Sequence, residues 1–400
     1  MFSRVLSIAL LPFMLPSFSM ALDLPGLVKD GGIRVEDRSG RAIIRYRDTE
    51  PFIPASTLKI ATALCALEAL GEDFRFSTRF LTSNPSNNSH AVYIQASGDP
   101  GMISEELAII AQRLSDGVSR VDQIVVDTSL FSPDLVIDGV SASTNPYDAR
   151  NAAFVGNFSS ALVTRLKSGK VISAEPHTPL TPLAEAAGAR LPPGVTERVN
   201  LGRDWKLGPL YGGELLASFL KKNGVPGKMA VSLGQVPRDA KEIYTHTSSQ
   251  PLRETVRGLL QFSTNFTANQ LFLLLGARQF GAPATLEKGQ KAISGCLGNE
   301  AGWKGIHIEE GSGLSRKSKV SAQDMTRLLA RFERYSELLK MQDGFLAKTG
   351  TLTGVNTLAG YFTTKRYGEV RFAVLVNSKV PNNYKYTVAQ ALRESIDTDS

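Results

Sequence analysis

The chain has 400 residues and a formal charge of +7, with 42% hydrophobic and 21% charged residues. This length exceeds what one hydrophobic core usually holds, so we expect two or more domains, and the composition excludes a disordered chain. The positive charge suits anionic surroundings such as a cell wall or a lipid surface. The sequence has no dense basic tract with interleaved aromatic residues, and we therefore do not expect nucleic-acid binding.

Residues 1–21 have the pattern of a cleavable secretory signal peptide. One basic residue, Arg4, precedes an apolar run over 5–14, and small residues lie before a cut after Ala21. The run is too short for a membrane span, and an uncleaved anchor is the alternative interpretation. Cleavage would lower the formal charge from +7 to +6. We expect a periplasmic mature protein without a stable membrane anchor.

A hairpin and a buried helix are predicted for the start of the mature chain. Apolar residues alternate on both sides of a turn at 37–40, which predicts two antiparallel strands over 31–47. The segment after Pro54 is apolar on nearly all sides up to Gly71. A helix without a polar face is typical of a protein interior, so we expect a central helix here.

The next region predicts an inserted α/β domain. Short strands are expected at 76–80, 92–94 and 124–126. They alternate with an amphipathic helix over 107–114, and such alternation favours an α/β arrangement. Residues 168–204 are rich in Pro, Gly and Ala, and we expect them to form a loop.

The last third predicts helices and a second hairpin. Helices are expected around 252–275, at 322–332 and at 384–400, and antiparallel strands at 355–363 and 369–376. Strands from the two ends of the chain can share one sheet, with the helix after Pro54 beside it.

Ser56 and Lys59 lie at the start of the predicted buried helix. Because residues i and i+3 share a helix face, the Lys59 amine can lie over the Ser56 hydroxyl. An amine whose pKa is lowered by burial can accept the serine proton and so create a nucleophile. A second Ser-x-x-Lys, at Ser218 and Lys221, falls on an amphipathic stretch that predicts a surface helix. We assign no chemistry to that copy.

Two further motifs follow in order, Ser263-Thr264-Asn265 at a helix junction and Lys348-Thr349-Gly350 on a strand. Each is weak alone, but the three motifs in this order form the signature of penicillin-recognising enzymes. The chain resembles the class C low-molecular-mass penicillin-binding proteins, the D-alanyl-D-alanine carboxypeptidases and endopeptidases of the DacB type. The resemblance runs from about Gly31 to Leu392 and includes the segments 98–100, 127–131, 153–158 and 311–316.

The resemblance implies an α/β (α+β) fold. A penicillin-recognising, serine transpeptidase-like domain, with an antiparallel sheet flanked by helices, would carry a large inserted α/β domain. The implied division is a signal peptide at 1–21, catalytic parts at 22–71 and 245–400, and the insertion at 72–244. The chain departs from the family at Thr264, where Asp is usual, and in a shorter insertion, so a third domain is expected to be reduced or missing.

The resemblance also implies a mechanism. Ser56 attacks the carbonyl between two D-alanines, Lys59 takes its proton, and the resulting ester is hydrolysed. The backbone N–H groups of Ser56 and Thr351 form the oxyanion hole. Ser263 relays a proton to the leaving amine, and the charge of Lys348 lowers pKa values nearby.

Substrate contacts are implied as well. Asn265 orients Lys59 and the substrate amide, and Lys348 helps to hold the terminal carboxylate. The strand segment that completes this carboxylate site consists of Thr349, Gly350 and Thr351. Tyr147 and Arg316 are candidates for the free end of a diaminopimelate side chain. The alternatives are a packed aromatic residue for Tyr147 and a solvated loop charge for Arg316.

The implied function is that of a serine peptidase for peptidoglycan stem peptides that β-lactam antibiotics inhibit. Motif residues do not separate carboxypeptidase from endopeptidase action. A serine β-lactamase is an alternative, which the long insertion disfavours, and a non-catalytic penicillin-binding adaptor is another, which the intact motifs disfavour.

No metal or other cofactor is expected, because the histidines and cysteines lack zinc-ligand spacing. We expect Cys65 and Cys296 to be free thiols, although an oxidising compartment would allow a disulfide.

Overall fold

The computed structural model describes residues 22–82, 90–298, 303 and 306–398. The predicted signal peptide, 1–21, lies outside the described residues and stays a prediction. Within the described ranges, no helix has the length and apolar character needed to cross a membrane.

Strands and helices alternate along the chain. The strands are β1 (Gly31–Glu36), β2 (Ala42–Tyr46), β3 (Pro51–Phe52), β4 (Ser77–Thr82), β5 (Ala91–Gln95), β6 (Gln123–Asp127), β7 (Ser160–Arg165), β8 (Val171–Ser173), β9 (Val195–Asn200), β10 (Ala230–Leu233), β11 (Lys241–Thr247), β12 (Val320–Ser321), β13 (Lys340–Gln342), β14 (Phe345–Leu352), β15 (Val355–Thr364) and β16 (Gly368–Val376). The α-helices are α1 (Leu24–Leu27), α2 (Lys59–Leu70), α3 (Ser104–Ser115), α4 (Pro182–Gly188), α5 (Leu207–Lys222), α6 (Leu252–Phe262), α7 (Asn265–Phe280), α8 (Leu286–Leu297), α9 (Ala322–Phe332) and α10 (Tyr384–Thr398).

A six-stranded antiparallel sheet combines strands from both ends of the chain, in the order β13-β14-β15-β16-β1-β2. The first strand pairs with the last, with Gly31 opposite Val376 and Glu36 opposite Arg371. This arrangement confirms the prediction of a shared sheet. Successive side chains on a strand point to opposite faces, so β16 can supply two cores at once.

Each face of this sheet covers one core. On one face Phe372 and Val374 pack with Leu392 of α10, and on the other Ala373 and Leu375 join the core that contains α2. The predicted central helix is confirmed: its residues from Lys59 to Leu67 are all buried. Its first turn is a 3₁₀ helix over Ala55–Leu58, and it ends at Gly71, whose φ is +87°.

Two further sheets follow β3. A five-stranded mixed sheet has the order β10-β6-β5-β4-β11, and a three-stranded antiparallel sheet has the order β8-β7-β9. They share a hydrophobic core that includes Phe80, Ile110 and Leu215 and is separate from the two cores beside the large sheet. This separate core supports the proposed inserted domain over 72–244. A short two-stranded ladder joins β3 to β12.

The expectation of a loop over 168–204 is wrong. This segment contains β8, α4 and β9. Val171 of β8 and Ala184 and Ala187 of α4 are buried against the same core as the five-stranded sheet. Pairing with β7 supplies the backbone hydrogen bonds, so these short elements depend on a strand that precedes them in the chain.

The expectation of two free thiols is also wrong. Cys65 and Cys296 form a disulfide with an S–S distance of 2.01 Å, and 231 positions separate them in the sequence. Cys65 lies on buried α2, and Cys296 lies in the last turn of α8, which packs against α2. Helix packing, and no local pattern, brings the two sulfur atoms together.

Candidate active site

Ser56 lies in the 3₁₀ turn that leads into α2. The residue before it, Ala55, has a φ of +47°, which is uncommon for a residue with a side chain. The Thr57 hydroxyl donates to Pro54 O over 2.7 Å and ties this turn to itself. The turn therefore presents Ser56 at a defined position at the start of a buried helix.

Lys59 is completely buried and holds three oxygen atoms around its amine. Its Nζ lies 2.9 Å from Ser56 Oγ, 2.8 Å from Asn265 Oδ1 and 2.8 Å from Ser312 O. A neutral amine has two hydrogens and one lone pair. Since the amide and carbonyl oxygens can only accept, they take the two hydrogens and leave the lone pair for the Ser56 hydroxyl.

The surroundings of Lys59 favour this neutral form. Burial lowers the pKa of Lys59 well below 10.5, and the charge of Lys348 lowers it further, against an opposing effect of Glu310. Loss of solvation disfavours a charged amine in the protein interior. The arrangement therefore matches a serine nucleophile beside a neutral amine base.

Glu310 organises the loop that supplies Ser312 O, although it belongs to none of the three motifs. Its buried carboxylate accepts hydrogen bonds from Ser312 N, Leu314 N and Ser315 N, over 2.8, 2.7 and 3.2 Å, and from Ser312 Oγ over 2.6 Å. An acidic residue at the start of a Gly- and Ser-rich loop is the available sequence signal, because the N–H groups of such a loop need an acceptor.

The second motif lies where α6 meets α7. Ser263 ends α6 with a φ of +57°, Thr264 is extended, and Asn265 begins α7. Lys348 Nζ donates to Ser263 Oγ over 2.8 Å and to Thr349 O over 2.9 Å. Burial lowers the pKa of Lys348 to about 7, with smaller effects of nearby lysines. The junction therefore contacts both lysines: Asn265 accepts a hydrogen bond from Lys59, and Ser263 accepts one from Lys348.

The third motif lies on β14, which passes close to Ser56. A Cβ atom on Gly350 would lie 2.8 Å from Pro54 O, 2.9 Å from Ser56 N and 2.2 Å from Thr357 Oγ1. The Thr357 hydroxyl donates to Pro54 O over 2.7 Å and fastens β15 to the same turn. Gly350 is thus the residue that allows β14 to approach Ser56, with Thr351 next to it on the strand.

Tyr147 lines a cavity beside the second motif, and Arg316 contacts the turn after the third motif. Tyr147 is 53% exposed and lines a cavity of about 680 Å³ that also reaches Ser263 and Asn265. It is therefore not a packed aromatic residue. Arg316 is exposed, and its Nη2 donates to Thr353 O in the turn after β14, over 2.5 Å. The structure does not bring these two side chains together in one cluster.

The second Ser-x-x-Lys copy lies apart from this site. Ser218 is on α5, and its hydroxyl donates to Glu214 O over 2.8 Å within that helix. Lys221 is exposed, as the surface-helix prediction required. Among the described residues, no lysine amine is hydrogen-bonded to Ser218 Oγ, in contrast to Lys59 at Ser56.

Residues 19–179, 191–346 and 340–395 match the family described as D-Ala-D-Ala carboxypeptidase 3 (S13). The chain belongs to this S13 family. Two curated relatives are similar along most of the chain. The D-alanyl-D-alanine carboxypeptidase of Actinomadura sp. strain R39 is 27% identical over 87% of this chain and 77% of its own length. The D-alanyl-D-alanine carboxypeptidase DacB of Haemophilus influenzae is 24% identical over 91% and 90%, respectively.

Solved structures show the same fold. Penicillin-binding protein 4 (dacB) of Haemophilus influenzae superimposes with a TM-score of 0.76, at 20% identity, over 93% of this S13 chain and 98% of that chain. It has also been solved in complex with a β-lactam. A predatory peptidoglycan endopeptidase of Bdellovibrio bacteriovorus has a TM-score of 0.53 at 17% identity, over 92% and 91% of the two chains. The predicted fold class is thereby confirmed.

Proposed function

We propose that this S13 protein is a serine D-Ala-D-Ala carboxypeptidase and endopeptidase that acts on peptidoglycan stem peptides. The observation that carries the proposal is the Lys59 amine, held by Asn265 Oδ1 and Ser312 O so that its lone pair faces Ser56 Oγ. Membership of the S13 family gives this general nucleophile–base pair its substrate class.

In the proposed acylation, Ser56 Oγ bonds to the carbonyl carbon of the penultimate D-alanine while Lys59 takes the hydroxyl proton. The backbone N–H groups of Ser56 and Thr351 donate to the carbonyl oxygen as its negative charge develops. The C–N bond then breaks, and the leaving amine takes a proton from the Ser263 hydroxyl. The Lys348 ammonium, 2.8 Å from Ser263 Oγ, returns a proton to that oxygen.

The proposed deacylation uses the same residues in the reverse direction. Water takes the place of the leaving amine and bonds to the ester carbon, while its proton passes through the Ser263 hydroxyl to Lys348, which lost a proton in acylation. The bond between the ester carbon and Ser56 Oγ then breaks, and Lys59, protonated in acylation, returns its proton to that oxygen. The terminal carboxylate would be held by Lys348 and by the hydroxyls of Thr349 and Thr351.

Asn265 would orient the substrate amide, and Tyr147 on the cavity wall would contact the diaminopimelate part of the peptide. Arg316 would be a second contact for the diaminopimelate side chain. To make this contact, its guanidinium would have to break the hydrogen bond to Thr353 O.

Carboxypeptidase and endopeptidase action both break an amide next to a D-Ala carbonyl, so one site serves both. The signal peptide pattern supports action in the periplasm, where peptidoglycan lies. β-Lactam binding is proposed because a β-lactam presents a reactive amide next to a carboxylate, as the terminal dipeptide does.

The decisive experiment uses the mature protein on purified muropeptides. A monomeric pentapeptide muropeptide is expected to lose one D-Ala, and a cross-linked dimer is expected to yield monomers, both read by mass. The Ser56→Ala variant serves as the matched control and is expected to release neither product. Product formation by Ser56→Ala would refute the proposal.

Incubation with a penicillin separates the alternatives. A single stable adduct on wild type, absent in Ser56→Ala, is the expected intact-mass result. Consumed penicillin without an adduct would favour a β-lactamase, and intact penicillin without an adduct would favour a non-catalytic adaptor.

The pH profile of kcat/KM for a peptide with a free carboxylate is expected to be bell-shaped. Activity rises with pH as Lys59 becomes neutral, and falls again as Lys348, whose pKa burial lowers to about 7, loses the charge that holds the carboxylate. Arginine keeps its charge to about pH 12. Lys348→Arg is therefore expected to lower kcat/KM, because a guanidinium does not give up a proton to Ser263, and to move the alkaline limb of the remaining activity upward by at least about one pH unit. An alkaline limb at the wild-type position would contradict this role for Lys348.

A further inference from the structure

The last helix brings a buried lysine to the strand that carries the third motif. Lys385 lies in the first turn of α10 and is 4% exposed. Its Nζ donates to Thr351 Oγ1 over 2.6 Å and to Gly350 O over 3.2 Å. Lys385 belongs to none of the sequence motifs. Since 34 positions separate it from Thr351, a local pattern does not predict their contact.

The charge of Lys385 is not balanced locally. Burial lowers its pKa to about 8, and no acidic group among the described residues offsets this effect. A buried cation without an acidic partner costs folding free energy, which an apolar side chain of similar length would avoid. Unbalanced buried charges are concentrated at sites that bind or transform a ligand.

The hydrogen bond to Thr351 decides what that hydroxyl can do. A lysine ammonium has three donors and no acceptor, so Thr351 Oγ1 must accept from Lys385. The single Thr351 hydrogen is then available for another oxygen. Thr351 is exposed on β14, so that oxygen can belong to a ligand.

A second lysine is placed in the same way on this strand. Lys348 Nζ donates to Thr349 O, and Lys385 Nζ donates to Gly350 O, on adjacent carbonyls. The charge of Lys385 contributes to the lowered pKa of Lys348, so the two ammonium groups repel each other. A ligand carboxylate beside Thr349 and Thr351 would relieve that repulsion.

The β14–β15 hairpin fixes the position of Lys385 relative to Thr351. Asn356 pairs with Thr351 across β14 and β15. Its Oδ1 accepts from Lys385 N over 2.9 Å, and its Nδ2 donates to Asn382 O over 3.1 Å just before α10. The start of the helix is thus fastened to the residue opposite Thr351.

We propose that Lys385 is a positioning residue for the α-carboxylate at the end of the substrate peptide. It fixes the Thr351 hydroxyl as a donor to that carboxylate and adds a second positive charge behind it. This assignment rests on the proposed function, and it names the residue by which the site prefers a free terminal carboxylate to an amide.

Binding to the Ser56→Ala protein tests the proposal without catalysis. The probes are diacetyl-L-Lys-D-Ala-D-Ala and its C-terminal carboxamide, titrated by calorimetry at neutral pH. Ser56→Ala is expected to bind the acid at least about tenfold more tightly than the amide, since hydrogen bonds to charged groups are the stronger ones. Adding Lys385→Met is expected to reduce this acid preference about tenfold, and Lys385→Arg is expected to restore part of it.

The ratio of the two affinities excludes a merely structural role. The proposal is wrong if Lys385→Met weakens the binding of the acid and of the amide by the same factor. It is equally wrong if the substitution changes neither affinity. It is also wrong if Ser56→Ala itself does not distinguish the two probes. Lys221→Met, on an exposed lysine of α5, is the matched control and is expected to keep the preference.

The two proposals fail separately. A wild-type protein that cleaves no muropeptide, while Lys385 still controls the acid preference, would refute only the catalytic function. If the wild-type enzyme is active but Lys385→Met leaves the preference for the acid over the amide probe unchanged, only the role of Lys385 is refuted.

Discussion

Lys59→Met is expected to slow acylation of Ser56 by a penicillin at least about 10³-fold. Methionine has nearly the length of lysine but cannot accept a proton from the Ser56 hydroxyl, 2.9 Å from the lysine amine. Asn265 Oδ1 and Ser312 O also lose their donor, at a cost of about 1–3 kcal/mol each. The acylation rate is measured by quenched intact-mass spectrometry, and the free energy of unfolding by urea titration.

Lys59→Arg is the matched variant that separates charge from basicity. A guanidinium supplies donors and a positive charge but does not lose a proton in proteins. Penicillin is therefore expected to acylate Ser56 of the Lys59→Arg variant as slowly as it acylates Ser56 of Lys59→Met. If either folded variant acylates within about tenfold of wild type, Lys59 is not the base, because a general base contributes at least about 10²-fold.

Gly350→Ala is expected to lower the rate at which penicillin acylates Ser56 about 10²-fold, although it removes no reacting group. The new methyl group would lie 2.8 Å from Pro54 O and 2.9 Å from Ser56 N, both backbone atoms that cannot rotate away. β14 must then move away from the Ser56 turn, and a displacement of about 1 Å at reacting groups can cost about 10²-fold in rate. The same measurement of adduct formation with penicillin reports the effect.

Gly117→Ala is the control for the glycine change. Its nearest neighbour is Leu114 O, 3.9 Å from the position of a Cβ, and it lies in the inserted region. We expect wild-type acylation from this variant. For Gly350→Ala, overpacking should also lower the free energy of unfolding by about 1–3 kcal/mol. Wild-type kinetics in Gly350→Ala would mean that β14 does not have to approach Ser56 so closely.

Periodicity and resemblance predict much of the fold. Both hairpins and the helix at 322–332 are predicted from local patterns, and the nearly all-apolar segment after Pro54 predicts the buried α2. Their edges agree with the structure to within a few residues. The short strands β8 and β9 do not carry such a pattern, and their pairing with β7 and their packing against a shared core stabilise them. Those contacts are not local, so the composition of this segment, rich in Pro, Gly and Ala, predicts a loop.

The sequence by itself identified the candidates for the chemistry. The i, i+3 spacing places Lys59 over Ser56, and the order of the three motifs identifies the other candidates, because each motif is contained within a few consecutive residues.

Only the tertiary structure decided the state of those groups. The lowered pKa of Lys59 depends on burial and on the charge of Lys348, and a loop held by Glu310 supplies the Ser312 oxygen that the amine contacts. The Cys65–Cys296 disulfide and the contact of Lys385 with Thr351 join residues far apart in the chain. The physical reason is that pKa values, charge balance and close approach depend on distances between atoms, which only the packing of distant segments sets.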